Sequence, residues 1–339
     1  MLKIFTDATY LTEDNRKIVF PLLFDLWYVK NKRVESFYTL VNCMENADVV
    51  IVPVNIAYFY EYKKIANLFS FIDDAHQLSK KVWVYSAGDF GITLSKEVYT
   101  FRLGGFHKKL DQKTFIMPSF INDPYMIISD KFKPIIRTEV PILGFVGNAN
   151  GSLVKYLKEF LIFIKLNTFR LLKLRYHDYQ PFYPSSIKRN QFLKAFGRNK
   201  QIKSNFILRK KYRAGAKTKD DIKKTTFEFF KNIYENSYTF CLRGSGNFSV
   251  RLYETLAMGR IPVIIDTDIR LPLNDYIDWS KHCIISNSND FETKLIEFNE
   301  NIDESEFVKM QQNNRNLWLN YLTRENYFIQ MHSIFKNEI

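Results

Sequence analysis

Short apolar runs bounded by turn-forming residues recur along this chain, separated by stretches with helical periodicity, and that order leaves few folds open. Residues 3–6, 49–53, 82–86 and 115–117 read as buried strands. Parallel neighbours need a long crossover, usually a helix, so the alternation predicts a mostly parallel sheet with helices on both faces. Residues 129–140, rich in Lys, Pro and Ile, break the rhythm. A new strand follows at 141–146 and ends in Gly147-Asn148-Ala149-Asn150-Gly151, which puts the junction between two halves there. Helices near 153–166 and 225–236, a strand at 238–242, a glycine-containing loop, a helix at 249–258 and a strand at 261–266 complete the second half. Residues 304–336 read as one or two helices. The 339 residues have room for two domains, each with its own core. They are predicted as α/β: a Rossmann-like domain over 1–138, a second over 139–322, and a last helix, 323–339, crossing back to the first.

Composition narrows the function. Apolar residues at 46% and charged residues at 25% suit a globular rather than a disordered chain. No run reaches the ~18 apolar residues that span a bilayer, and the first residues lack an apolar h-region, so a cytoplasmic protein is expected. Cys43, Cys241 and Cys283 are too far apart for a zinc knuckle or a redox pair, and their odd number argues against a disulfide framework. The net charge of +13 is uneven: residues 188–219 hold twelve Lys or Arg and no Asp or Glu. Nucleic acid, an anionic membrane surface or an acidic glycan would each satisfy that charge, and a solvated basic face is the plain alternative. No RNP, KH or zinc pattern accompanies it, which counts against nucleic acid.

The chemistry concentrates in residues 238–279, read as strand, loop, helix, strand. Gly244 and Gly246, with Ser245 between them, let backbone approach a ligand closely. Ser249, followed by Val250, is placed to cap a helix whose free N–H groups and positive dipole end favour phosphate. Arg243 and Arg251 could hold a diphosphate by charge-assisted hydrogen bonds, without a metal. Glu254 lies one helical turn beyond Arg251, placed to accept the two hydroxyls of a ribose; an Arg–Glu pair on a solvated face is the alternative. Gly147 and Asn148, at a strand's end, join this candidate site, and Arg209 and Arg213 could add positive charge.

This ordered set resembles the exostosin family, glycosyltransferase family 47, and its small bacterial members in particular. The resemblance rests on Arg243, Ser249, Arg251, Glu254, Gly259-Arg260-Ile261-Pro262-Val263-Ile264-Ile265, Leu271-Pro272 and Asp278-Trp279. Weaker likeness extends to the segments IFTDATYLTEDNRKIVFPLLFDLW, ADVVIVPV, VWVYSAGDFG, SFINDPY and NFILRKKYRAG. Arg260 departs from the pattern, since many members have cysteine there. The resemblance implies a GT-B fold, two facing Rossmann-like domains with the donor in the second. It also implies inverting transfer of a hexose or pentose from a nucleotide diphosphate sugar, most often a uridine one, with no cofactor required. The implied partners are that donor and a glycan or lipid-linked glycan of capsule, lipopolysaccharide or other surface polysaccharide assembly. Peripheral contact with the anionic inner face of the membrane is expected. Asp266-Thr267-Asp268 spells a DxD, which binds manganese in another glycosyltransferase fold; here the resemblance assigns Asp268 to sugar hydroxyls.

Inversion needs a base to deprotonate the acceptor hydroxyl from the face opposite the leaving diphosphate. Asp89, on a Gly-flanked loop and aligned with an acidic position of the family, is the first candidate, and Asp7 the second. Each could instead cap a turn. His107 is a weaker candidate, and His76, His177, His282 and His332 have no metal-ligand spacing. Two alternatives remain open: a catalytically inactive member of the fold, and a nucleic-acid binder using the basic 188–219 segment.

Overall fold

The computed structural model describes residues 1–336, apart from the side chains of Tyr212 and Arg213. Two parallel sheets organise it. The first half carries β1 (Leu2–Phe5), β2 (Tyr38–Leu40), β3 (Val49–Ile51), β4 (Lys81–Ser86), β5 (Tyr99–Arg102) and β6 (Thr114–Ile116). They form a six-stranded sheet in the order β2-β1-β3-β4-β5-β6, every pairing parallel. The second half carries β7 (Ile142–Asn148), β8 (Lys203–Arg209), β9 (Tyr238–Cys241), β10 (Ile261–Ile265) and β11 (Ile284–Ser286). These form a five-stranded parallel sheet ordered β11-β10-β9-β7-β8. The two halves face each other in the GT-B arrangement.

Helices cover both sheets: α1 (Ile65–Gln77) in the first half, then α2 (Leu153–Leu171), α3 (Ser185–Arg198), α4 (Lys219–Glu235), α5 (Val250–Ala257), α6 (Phe291–Asn301), α7 (Glu304–Leu317) and α8 (Arg324–Lys336). The buried residues of α1, Leu68, Ile72 and Ala75, recur at the spacing that lines one helical face. The start of α4 lies earlier than residue 225. Thr218 accepts a hydrogen bond from the Asp221 amide, and Asp220 and Asp221 occupy the positive end of the helix dipole.

Contacts from the C-terminal segment reach the first half. The buried carboxylate of Asp25 receives two hydrogen bonds from Arg324, at 2.5 and 2.8 Å, while Tyr38 donates to the Phe328 carbonyl at 2.5 Å. Trp83 and Phe335 rings meet at 4.5 Å. The halves are also pinned directly. Buried Asn247 donates its side-chain amide to the carbonyls of Gly105, Thr267 and Asp268, and Arg270 donates to those of His107, Leu110 and Asp111.

Arg260, where the family pattern departs, is fully buried and has no carboxylate partner among the described residues. It donates instead to the Tyr234 and Lys133 carbonyls and to Gln311 Oε1, fastening residues 129–140 to the second half. A guanidinium thus serves as a structural bolt at this position.

Candidate functional site

The carboxyl ends of β7, β8 and β9 open on a cavity of about 680 Å³, the place where open parallel sheets present ligand sites. Its rim is built from local geometry. The loop after β9 runs so close to the first half that a Cβ added to Gly246 would stand 2.3 Å from the Asp89 carbonyl oxygen and 2.6 Å from the Phe248 ring. A Cβ on Gly244 would meet nothing within 4 Å. Gly246→Ala is therefore expected to lower stability by about 1–3 kcal/mol, and Gly244→Ala to fold with wild-type stability. Thermal melts of the two variants check this contrast.

Of the candidates named from sequence, Asp89, Gly147, Asn148, Arg209, Gly244, Ser245, Gly246, Ser249, Val250, Arg251 and Glu254 line this one cavity. Asp89 reaches it from the first half. Arg251 lies across the face of Phe145, 4.2 Å from its centroid, and donates Nη2 to the Val146 carbonyl at 2.7 Å. Its Nε meets no acceptor. Arg209 pairs with Glu228 and donates to the Thr225 carbonyl at 3.2 Å.

Arg243, Asp7 and Asp268 lie elsewhere. Arg243 does not line the cavity: its guanidinium is buried between Tyr183 and Phe106, 4.7 and 5.2 Å from their centroids, and donates to the Ser245 carbonyl at 2.8 Å. It braces the loop from behind. Ser249 occupies the N-cap position of α5, but its hydroxyl makes no capping bond. Asp7 follows β1 and caps a short turn by accepting from the Thr9 amide and hydroxyl, away from this cavity. Asp268 is in the left-handed region, at φ 62°, and faces the other half. Its carboxylate accepts from the Lys108 amide and its carbonyl from the His107 amide, while His107 Nδ1 accepts from Arg270. Asp266 accepts from the Ile269 amide, so both carboxylates of the DxD organise a turn between the halves. The side chain of Arg213 lies outside what the structure describes.

Sequence reasoning missed Arg189, which lines the cavity from α3 together with Ser185, one helical turn before it. Nothing distinguished it among twelve cations. It donates to the Asn148 carbonyl at 2.8 Å and to the Arg243 carbonyl at 3.3 Å, and its Nε has no acceptor. Lys155 and Glu159 of α2, with Thr225 and Thr226 of α4, complete the wall.

The electrostatics follow from this crowding. Burial, and then the Arg251 charge, lower the pKa of Arg189 to about 10; burial likewise lowers Arg243 to about 10 and pulls Arg251 down. All remain cations at neutral pH. Two largely desolvated guanidinium groups border one wall, and their charge favours an anion with several oxygens.

A family model described as the Exostosin GT47 domain matches residues 25–302. The chain belongs to the exostosin GT47 family. Membership of that family supports a glycosyltransferase. A comparison with curated proteins gives no match for this GT47 chain. Among solved structures it is similar to a glycosyltransferase from Rickettsia africae ESF-5, at 11% identity over 99% of both chains and a TM-score of 0.39. It is also similar to a variant of S. aureus TarM in complex with fondaparinux, alpha-GlcNAc-glycerol and UDP. That match has 9% identity over 85% of this chain and 55% of the other, with a TM-score of 0.36. WaaG, a glycosyltransferase involved in lipopolysaccharide biosynthesis, matches at 11% identity over 88% and 78% of the two chains, with a TM-score of 0.30. The family assignment rests on the sequence match. Among the described residues of this GT47 member, no helix is long and apolar enough to cross a membrane.

Proposed function

We propose that the chain transfers a sugar, with inversion, from a nucleotide diphosphate sugar to a hydroxyl of a glycan acceptor, and that the donor is a uridine one. The observation that carries this reading is the convergence of Arg189, Arg209 and Arg251 on a cavity at the strand ends. As the bond to the sugar breaks, negative charge grows on the departing diphosphate. Guanidinium groups already desolvated and held by backbone carbonyls stabilise that charge without having to reorganise. Arg189 and Arg251 border the cavity, so their positive charge bears on it directly. Glu254, on the same wall, accepts the ribose hydroxyls.

Asp89 supplies the base. It is exposed on its loop and reaches the cavity from the half opposite the arginines, so an acceptor hydroxyl held between them gives up its proton to Asp89 while its oxygen attacks the anomeric carbon. The diphosphate leaves on the other side. In this reading the arginines take the place a metal fills in other enzymes, and the acceptor is a lipid-linked or other glycan of surface polysaccharide assembly at a membrane surface.

A thermal-shift screen over uridine, guanosine and cytidine nucleotide sugars tests the donor. A uridine diphosphate sugar is expected to raise the melting temperature most, because a ligand that binds only the folded state stabilises it by mass action. Equal, negligible shifts across the panel would remove the reading.

A further inference from the structure

Helix α2 departs from what a helix on a folded domain does. It runs for nineteen residues without one buried residue, although twelve of those nineteen are Leu, Val, Ile, Phe or Tyr. A helix on a water-soluble surface turns its apolar stripe inward. Here Val154, Leu157, Leu161 and Ile164 recur at spacings of three and four and face outward; Leu157 is 56% and Leu161 63% exposed. Only the opposite side is tied down. Tyr156, Phe160 and Phe163 contact the Phe182 ring, and Glu159 accepts from the Ser186 hydroxyl of α3. The outward stripe continues past the helix end through Leu172 and Leu174, both more than half exposed. Exposed apolar surface of this extent marks an interaction site.

Charge decides what covers it. Residues 153–175 hold Lys155, Lys158, Lys165, Arg170, Lys173 and Arg175 against a single acid, Glu159. Lys158 and Lys165 border the apolar stripe on the helix surface. A second copy of the chain docking here by twofold symmetry would bring these cations face to face, on a molecule whose net charge is already +13. A bilayer with anionic headgroups suits both features at once, taking the apolar stripe into its boundary layer and the lysines onto its phosphates.

We propose that α2 is an in-plane membrane anchor that seats the protein on anionic lipid. This deepens the reading of an acceptor at a membrane surface and rests on it only for its purpose. The inner side of the same helix lends Lys155 and Glu159 to the donor cavity, so seating α2 holds the cavity mouth beside the lipid surface. Most of residues 188–209 of the basic segment are folded instead into α3 and β8, and two of their cations, Arg189 and Arg209, line the cavity.

Vesicle flotation of the full chain tests the proposal, with phosphatidylcholine vesicles prepared with and without phosphatidylglycerol. The wild type is expected to float with the anionic vesicles and to be released by salt. Leu157→Glu with Leu161→Glu is expected to weaken that partition by roughly tenfold or more. Lys158→Glu with Lys165→Glu gives an independent version of the same loss, confined to anionic vesicles. Melting temperature and UDP affinity, measured on the same preparations, are expected to stay at wild-type values because none of the four residues lines the cavity. Wild-type flotation by both double variants overturns the anchor, as does absence of wild-type association at low salt. A dimer in sedimentation velocity that the leucine variant dissociates, with vesicle binding intact, assigns the stripe to a second copy and overturns it as well. Failure of UDP to bind, with flotation behaving as expected, would sink the donor reading and leave the anchor standing.

Discussion

Asp89→Asn is expected to lower kcat by about 10²–10⁴-fold while the affinity for UDP stays within about twofold of wild type. The substitution keeps the shape of the side chain and removes its capacity to take a proton. Asp89 is exposed, and the contact that fits its loop against Gly246 is made by its backbone carbonyl, which the variant retains. Stability should therefore not move. Steady-state transfer kinetics with the donor selected by thermal shift, together with a UDP titration, separate the two quantities. Unchanged kcat would assign the base elsewhere, and Asp7, which accepts from Thr9 and lines a separate cavity of the first half, would be the next residue to replace.

The second large effect is expected at Arg251. Arg251→Met keeps most of the side-chain volume against Phe145 and removes the charge and all donors. Loss of charge-assisted hydrogen bonds at about 1.5–3 kcal/mol each lowers diphosphate affinity by about 10–150-fold for each bond lost. A second consequence is structural. The Val146 carbonyl loses the donor it holds at 2.7 Å, and an unsatisfied buried acceptor costs about 1–3 kcal/mol of stability. The readout that separates the two is the affinity for uridine, which lacks phosphate and should barely change. Arg251→Lys is expected to recover part of the affinity through its charge, and not all of it, because an ammonium lacks the planar fork. Equal losses for uridine and UDP in Arg251→Met would point to collapse of the pocket rather than to a phosphate contact.

Much of the architecture was legible because buried parallel strands are apolar throughout. β3, β9 and β10 are buried along their whole length, and the corresponding runs stand out in the sequence. β8 was not visible. As an edge strand beside β7 alone it alternates between exposed and part-buried residues, and Lys203-Ser204-Asn205-Phe206 reads as part of a basic loop. β2 and β11 escaped for a related reason: each has three residues at a sheet edge, too few to make a periodic signal.

The site divides along the same line. The loop from Gly244 to Arg251 could be read locally, since glycines, a helix start and an arginine one turn in are all close in sequence. Arg243 sits within that loop, yet its side chain turns away because Tyr183 and Phe106, from distant segments, offer the guanidinium two ring faces. Arg189 is the converse. It is fifty-four residues from Arg243, and only the packing of α3 across the end of β7 brings it to the cavity. Spacing along the chain carries no information about such convergence. The outward face of α2 shows the limit from another side: its sequence has the periodicity of an amphipathic helix, which says that one face is apolar and not which way that face points.

Transfer as proposed requires that the strand-end cavity seat a diphosphate. Calorimetric titration of the wild-type chain with UDP and with uridine measures that directly. UDP is expected to bind about a hundredfold or more tightly, a difference of about 2.7 kcal/mol that two or more charge-assisted contacts supply. Replacing Arg189 and Arg251 together by Met should erase that difference. Equal affinities for UDP and uridine in the wild type, or a preference for UDP that survives the double replacement, would contradict it.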